Sequence, residues 1–430
     1  MTDVTIDEGN NTVVIGGLGP QGPQGVPGVP APTNVPRIVD KPSSGHAVGE
    51  AGDMAFDLDY LYLYAVDPTP YWTAMPDMTT ARFSHTVTKA GFGGALIAGG
   101  ENTGGVLGSC EVFDPSSNTW SAGPALITAR SQHAACTLVD GVTIVCGGNN
   151  AAHAAIASTE WWNGGGSWTA SGDIPYVVIA PQIVSLVPHG GSGAPEALIV
   201  GGVGNYDTGT VIKSCARYNW NAGTWAQVQD LPTEKQNNTL VLLADRRVLS
   251  IAGLDNNGTA QTSCELFDPA TNTWTSTGNL PFATSLCMAM LMPDGKVFAF
   301  GGAAAGEALA NAAMYDPTTG VWTTKTSMTQ LRAFCAGWLL PNGHTIVQGG
   351  WNSGAGYTLQ SYETYDPVAD TWTETDLAQP AALSTTYWTV FDDGRLLIAG
   401  GYEPVAASKK SQVFNYAGQQ GWRRAALSSW

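Results

Sequence analysis

The chain has 430 residues and a formal net charge of −17, and 12% of its residues are charged while 43% are hydrophobic. The apolar fraction excludes a disordered chain, and the acidic balance argues against binding to nucleic acid or to anionic lipid. No apolar run approaches the roughly 18–20 residues that cross a bilayer, and residues 1–10 lack the pattern of a secretion signal, so we expect neither membrane insertion nor export by a leader.

Residues 1–40 predict an N-terminal β-strand followed by a collagen-like segment. The strand is expected within Val4–Ile15, which is rich in Thr and Val, and Gly then recurs at positions 16, 19, 22, 25 and 28 with prolines between. Glycine at every third position is typical of the collagen triple helix, because only Gly fits at its shared axis. The pattern therefore predicts a homotrimer, and a Pro/Gly-rich linker is the alternative.

Residues 41–70 are expected to form a small β-module that residues 421–430 complete. The alternation of Tyr and Leu in Tyr60–Tyr64 predicts a strand, and the last ten residues predict a second one. Residues 52–62 and 422–428 together resemble a short β-module of bacteriophage tail-fibre and other virion fibre proteins, in which the two parts lie close in sequence. Here residues 71–420 stand between them, which implies an insertion.

The inserted residues 71–420 carry an internal repeat marked by tryptophans at positions 72, 120, 168, 225, 274, 322, 372 and 422. Each interval holds a short apolar run that ends in small residues, and the seven runs are Ala95–Gly100, Thr143–Gly148, Ala197–Gly202, Val248–Gly253, Val297–Gly302, Thr345–Gly350 and Leu396–Gly401. Turn dipeptides such as Asp294-Gly295 precede several runs, and aromatic-Asp-Pro triplets such as Phe267-Asp268-Pro269 follow them. Each unit is therefore predicted to form four strands, a to d.

The di-glycine, the aromatic residue and the Trp seven positions later resemble the Kelch repeat over about residues 71–422. The resemblance implies an all-β fold, a seven-bladed β-propeller in which strand a lines the central channel and strand d is outermost. Because eight tryptophans mark only seven blades, two segments are candidates for the strand that closes the ring. They are Tyr71–Met75 and the C-terminal segment that contains Trp422. Because the residues after Trp72 match the link after Trp120, we expect Tyr71–Met75 to close the last blade and the C-terminal strand to pair with Tyr60–Ala65.

The residues that could carry chemistry do not form a convincing enzyme site, so we expect no catalytic activity, no cofactor and no metal. The Kelch-type propellers include galactose oxidase, whose copper needs two His, a Tyr and a Tyr cross-linked to Cys. His85 and His133 stand in Arg-x-x-His positions at the start of strand a, which favours a repeat-specific polar role. The seven cysteines form no CxxC pair and are interpreted as buried thiols in a reducing compartment.

The b–c loops are the predicted binding elements. They share one face of such a propeller with the d–a links, and they are rich in Asn, Gly, Thr, Tyr and Trp. Aromatic rings stack on the apolar faces of sugars while amides pair with hydroxyls, so this composition favours a glycan or protein ligand. The candidate ligand-binding residues are Tyr206, Asn256, Asn257, Trp351, Asn352, Tyr357 and Tyr402. The alternative is that these residues only shape turns and pack between blades.

Together these features predict a bacteriophage tail-fibre or receptor-binding protein that attaches the virion to a glycan or protein of the bacterial surface. Such a protein would be assembled in the host cytoplasm and would join other virion tail proteins through its N-terminal segment. Two alternatives remain: a copper enzyme like galactose oxidase, and a non-viral Kelch scaffold that binds protein partners.

Overall fold

The computed structural model describes residues 71–187, 194–205, 207–340, 343–354, 357–375, 388–391, 393–403 and 406–415, together with five short strands nearer the termini. Within these residues all regular secondary structure is β, and no helix long and apolar enough to span a membrane is found in them. The Gly-X-Y triplets at 16–30, on which the collagen-like prediction and the trimer depend, lie outside the described residues.

The chain divides into two compact units, Met1–Val66 with Gln419–Trp430, and Asp67–Gly418. In the first unit, Met54–Phe56, Tyr60–Ala65 and Gly421–Ala426 form a three-stranded antiparallel sheet. The pairing runs from Tyr60 with Ala426 to Ala65 with Gly421, so both ends of the chain contribute to one sheet, as the sequence predicts.

The N-terminal segment forms two strands where the sequence predicted one. Val4–Asp7 pairs antiparallel with Thr12–Ile15. Gly9, Asn10 and Asn11 stand between the two strands, and these residue types favour turns over extended chain.

The second unit consists of seven four-stranded antiparallel sheets, the blades, with strand a of one blade adjoining strand a of the next. In the order a to d, blade 1 comprises Thr86–Lys89, Ala95–Ala98, Cys110–Asp114 and Thr119–Gly123. Blade 2 comprises Ala134–Thr137, Thr143–Cys146, Thr159–Trp162 and Thr169–Ala170. Blade 3 comprises Gln182–Leu186, Glu196–Val200, Cys215–Asn219 and Thr224–Gln227. Blade 4 comprises Thr239–Leu242, Val248–Ile251, Cys264–Asp268 and Thr273–Ser276.

The remaining three blades complete the propeller. Blade 5 comprises Met288–Leu291, Val297–Phe300, Ala312–Asp316 and Val321–Lys325. Blade 6 comprises Ala336–Leu339, Thr345–Gln348, Tyr362–Asp366 and Thr371–Thr375. Blade 7 comprises Trp388–Val390, Leu396–Ala399, Ser411–Asn415 and Tyr71–Met75. The seven-bladed all-β fold implied by the Kelch-like repeat is therefore confirmed.

Blade 7 takes its outermost strand from the start of the propeller sequence. Tyr71–Met75 pairs antiparallel with Ser411–Asn415, and Trp72 lies opposite Phe414 with the ring centroids 4.9 Å apart. This strand joins the first and last parts of the repeat region, which confirms the prediction that Tyr71–Met75 closes the ring.

The repeated aromatic and Trp residues are cross-strand neighbours on strands c and d. Phe113 lies opposite Trp120, Phe267 opposite Trp274 and Tyr365 opposite Trp372, with ring centroids 5.0, 5.1 and 5.0 Å apart. Such pairs contribute about 0.5–1.5 kcal/mol beyond the area that they bury. The seven-residue spacing in the sequence is thus the length of the hairpin that brings each pair together.

The di-glycines allow strand b to end close against the d–a links. A Cβ atom on Gly100 would lie 2.6 Å from the carbonyl oxygen of Phe83 and 2.7 Å from the Cβ of His85. The first Gly of each pair has a left-handed φ, such as 59° at Gly99, and blade 4 keeps this conformation with Ala252 at 51°. Blade 4 therefore accommodates a side chain at this position, although the left-handed φ strains the backbone there.

Candidate functional site

The b–c loops and d–a links lie together on one side of the propeller, which we call the b–c face. In six blades the first residue after the small pair that ends strand b forms a bridge with the d–a link of the same blade, as Glu101 does with Phe83 and Trp351 with Ala333. In blade 1 this bridge is formed by hydrogen bonds from the Glu101 N–H to the Phe83 carbonyl, 2.8 Å, and from the Phe83 N–H to the Glu101 carbonyl, 3.0 Å. The predicted grouping of these loops on one face is therefore observed.

Five of the seven b–c loops contain a short hairpin. The hairpins are Glu101–Asn102 with Gly105–Val106, Val203–Asn205 with Thr210–Val211, Ala303–Ala304 with Glu307–Ala308, Trp351–Asn352 with Tyr357–Thr358 and Tyr402–Glu403 with Ala406–Ala407. Neighbouring loops are also joined: the Ala308 N–H donates to Ser353 Oγ at 2.9 Å. Hydrogen bonds within and between the loops give this face a defined shape.

The described candidate residues have different surroundings. Asn256 and Asn257 are exposed, and Asn256 Oδ1 accepts a hydrogen bond from the Val211 N–H at 2.7 Å, so Asn256 joins the loops of blades 3 and 4. Trp351 is half-buried beside the d–a link. Asn352 is buried, with 5% of its surface exposed, and its Nδ2 donates to Gln330 Oε1 at 3.3 Å. Asn352 thus occupies an interior position, where it supports the loop.

Three candidates cannot be placed by their side chains. Tyr206 lies outside the described residues, and Tyr357 and Tyr402 lie in hairpin strands whose side chains are also outside them. The seven candidates belong to the loops of blades 3, 4, 6 and 7, so they are spread around the face.

Four of the six d–a links that the structure describes are held by a buried ion pair. Arg82 pairs with Glu111 at 2.9 Å, Arg130 with Glu160 at 2.7 Å, Lys235 with Glu265 at 2.6 Å and Arg332 with Glu363 at 2.9 Å, and at most 4% of any of these side chains is exposed. The cation also binds the ends of strand b and of the b–c loop, as Arg130 Nη1 does through the carbonyls of Gly147, 3.0 Å, and Ser158, 2.8 Å. Each pair therefore fixes a link and a loop of the b–c face to one another.

The d–a links also contribute a ring of side chains to the mouth of the central channel. These side chains stand two residues after Arg82, Arg130, Val178, Lys235, Thr284 and Arg332. The six described members of this mouth ring are Ser84, Gln132, Ala180, Asn237, Leu286 and Phe334, with φ angles between 49° and 56°. Backbone bonds connect some neighbours, such as the Gln132 N–H to the Ser84 carbonyl at 2.9 Å. All six line a cavity of about 570 Å³. The candidate residues predicted from the sequence all lie in the longer b–c loops, so the mouth ring was not predicted. The signal that could have revealed it is the variable position two residues after Arg in Arg-x-x-His.

His85 and His133 directly follow mouth-ring residues and line the same cavity. Burial and the nearby Arg82 lower the pKa of His85 to about 3, and its Nε2–H donates to the Ala399 carbonyl at 2.9 Å. Burial, Arg130 and His85 likewise hold the pKa of His133 well below its usual value, and its Nε2 lies 3.0 Å from Thr86 Oγ1. Both imidazoles are neutral parts of the channel wall at pH 7.

Among the described residues, no three His, Cys, Asp or Glu side chains form a group that could hold a metal ion. The Nε2 atom of His85 is already bonded to a backbone carbonyl. The cysteines are free thiols, six of them buried, and burial raises the pKa of Cys110 and Cys287 to about 11.

Comparison with known proteins supports the fold. Residues 286–329, which contain all of blade 5, match the Kelch motif. A fungal alcohol oxidase of the AA5 family, solved in complex with copper, is similar with a TM-score of 0.64 and 15% sequence identity, over 81% of this chain and 76% of that one. The structure of YjhT is similar with a TM-score of 0.52 and 15% identity, over 70% of this chain and 99% of that one. The sequence matches none of the curated proteins. At such identities the likeness concerns the fold alone.

Proposed function

We propose that this chain is a receptor-binding protein of a bacteriophage tail fibre, which attaches the virion to the bacterial surface through the b–c face of its propeller. The observation that carries the proposal is the pairing of Tyr60–Ala65 with Gly421–Ala426. These strands come from the two segments that resemble the virion fibre module, and the propeller sequence is inserted between them. The Gly-X-Y triplets that precede the module in sequence are what a trimeric fibre would use.

In this proposal the protein is a homotrimer, localised to the virion tail and joined to other tail proteins through its N-terminal segment. It acts by binding and needs no catalytic group or cofactor. Three copies would bind a repetitive surface together, so that a modest affinity for each propeller gives a much higher overall affinity. Light scattering should give three times the chain mass of 44.8 kDa, and a mass of one chain would exclude the trimer.

Adsorption to bacteria tests the attachment function directly. Labelled full-length protein is mixed with a panel of bacterial strains, and the bound fraction is compared with that of a Trp351→Ala, Tyr206→Ala double variant. Truncating an interface anchor typically costs about 2 kcal/mol, so affinity should fall roughly thirtyfold per propeller while the melting temperature falls by only a few degrees.

The matched control is Val368→Ser, which changes a 95% exposed side chain in the c–d turn of blade 6, on the opposite face. The control should adsorb like the wild type. Adsorption that is lost in the control and kept in the double variant would show that the other face binds. If the wild-type protein adsorbs to none of the strains, the attachment function is wrong.

A further inference from the structure

The mouth of the central channel has two chemically different halves. Blades 5, 6 and 7 contribute Leu286, Phe334 and Trp388, an apolar arc with two aromatic rings. Blades 1 to 4 contribute all the hydroxyl and amide side chains of the described lining, namely Ser84, Thr86, Gln132, Gln182 and Asn237, together with two histidines and the apolar residues Val87, Ala134, Ala135, Ala180, Pro181 and Ile183. The two halves face a shared cavity of about 570 Å³, which is within the range of about 300–1,000 Å³ for small-molecule sites.

The described cavity wall carries no formal charge at pH 7. Its described lining contains no Asp, Glu, Lys or Arg. The only ionisable side chains in that described lining are His85 and His133, and burial keeps both neutral. The chain as a whole has a net charge of −17, so its field repels anions. The uncharged wall offers no counter-charge to a charged group, and the negative field disfavours anions, so a neutral ligand is favoured over an anionic one.

The mouth ring retains side chains at positions where glycine would be easier to accommodate. A left-handed φ is strained for residues other than Gly and, to a smaller extent, Asn, and the six described members include one Asn and no Gly. Gly is abundant nearby, since six blades have it at the first position after strand b, with φ angles such as 65° at Gly147. Strain kept at a cavity mouth points to a use for the side chains.

The mouth ring is also held in place before any ligand arrives. Buried ion pairs fix the links that carry Ser84, Gln132, Asn237 and Phe334, each two residues after its basic residue. The N–H of Leu286 donates to the Asn237 carbonyl at 2.9 Å, which joins the polar half to the apolar half. A preorganised wall reduces the entropy lost on binding.

We propose that the channel mouth binds a single neutral sugar unit of the receptor glycan, with its apolar C–H face on Phe334 and Trp388 and its hydroxyl groups towards Gln132 and Asn237. Aromatic rings and amides are the groups that recognise these two sides of a sugar. The inference rests on the proposed attachment function and deepens it, because it selects an uncharged glycan and moves the centre of the site from the loop tips to the channel.

The test uses full-length protein and a panel of soluble sugars: neutral hexoses, deoxyhexoses, N-acetylhexosamines and their disaccharides, with uronic acids and sugar phosphates as charged counterparts. Binding is measured by saturation-transfer NMR and calorimetry. The variants are Phe334→Gly and Asn237→Gly, because Gly keeps the left-handed backbone while the side chain is removed. Ala252→Gly is the matched control, since it makes an alanine-to-glycine change at a left-handed position, with a φ of 51°, that is not among the residues lining the cavity.

We expect neutral sugars to bind, each of the two variants to raise Kd about tenfold or more, and Ala252→Gly to leave it unchanged. Preference for charged sugars, binding to none of the neutral sugars, or equal affinity in Phe334→Gly would overturn the inference.

The adsorption assay distinguishes a failure of the sugar site from a failure of the proposed attachment function. If cells treated with periodate still bind the protein while protease-treated cells do not, the receptor is a protein, so attachment stands and the sugar site is wrong. If neutral sugars bind at the mouth but no strain adsorbs the protein, the site stands and the attachment function fails.

Discussion

The buried ion pair of blade 2 provides the sharpest test of how the b–c face is held together. Glu160 has 2% of its side chain exposed and Arg130 has none. Besides pairing with Arg130, the carboxylate accepts hydrogen bonds from the N–H groups of Ile127 at 2.7 Å and Thr128 at 2.9 Å. Replacing Glu160 by Ala leaves a buried guanidinium without its counter-charge and removes the acceptor of both N–H groups.

The expected loss of stability follows from these contacts. Removing one partner of a buried pair costs about 3–5 kcal/mol, because the other charge stays in the interior. The two N–H groups add about 1 kcal/mol, at the low end of the usual range, since Ile127 is exposed and water can reach this part of the link. Glu160→Ala should therefore destabilise the protein by about 4–6 kcal/mol. The double variant Arg130→Met, Glu160→Ala should recover at least about 1 kcal/mol of this, because no unpaired charge remains.

Urea denaturation followed by tryptophan fluorescence measures these differences. Thr284→Val is the matched control, since Thr284 occupies the equivalent position in blade 5 and makes a neutral hydrogen bond to the Gly301 carbonyl at 3.1 Å. Its expected cost is about 1 kcal/mol. The reasoning fails if Glu160→Ala costs no more than this control, or if the double variant loses as much as the two single changes added together.

Three further outcomes are expected. Folding lowers the pKa of His85 to about 3, so the unfolded chain binds more protons at this residue between about pH 6.5 and pH 3, and stability should fall by about 2 kcal/mol at pH 5 from His85 alone. The pKa of His133 is also lowered and should add a fall in the same direction, so a His85→Gln, His133→Gln variant should show a smaller drop in melting temperature below pH 6.5. Deleting residues 1–76 removes the outer strand of blade 7 and should lower the melting temperature of the propeller strongly, whereas deleting 421–430 should leave it unchanged; the reverse result would contradict the observed closure. Ala252→Gly should stabilise blade 4 by up to about 1 kcal/mol in the same denaturation assay, because it relieves a left-handed φ of 51°, and a loss of stability would show that the buried methyl group matters more.

Much of the propeller could be predicted because its repeat encodes contacts within one hairpin. Phe267 and Trp274 are seven residues apart and meet across a single turn, so the spacing is visible along the chain. The closing strand could be predicted as well, since the residues after Trp72 match those after Trp120. The prediction of a single N-terminal strand was wrong, because it gave more weight to the β-forming residues of 4–15 than to Gly9, Asn10 and Asn11, which favour a turn.

The ion pairs could not be recognised from a single unit, because their partners lie about thirty positions apart and only comparison between blades reveals them. Where strand c has Glu, the d–a link has Arg or Lys, as with Lys235 and Glu265. Where strand c has Ala216 or Ala313, the links have Val178 and Thr284 instead. A carboxylate and a cation are therefore present or absent together in these six blades, which is what burial without an unpaired charge requires.

The identity of a mouth-ring residue, in contrast, is not tied to that of a partner residue in the same blade. This difference indicates where the propeller is specialised. At the ion-pair position one residue determines the other, because both are buried against each other. At the mouth position the backbone conformation is the same in six blades while the side chains range from Ala180 to Phe334. These side chains face a cavity, so packing within the blade does not dictate their identity. Their division into an apolar arc and a polar arc is a property of the assembled ring, which is why it cannot be read from any one repeat, and it is the property that a ligand with one apolar face and one hydroxyl-rich edge would recognise.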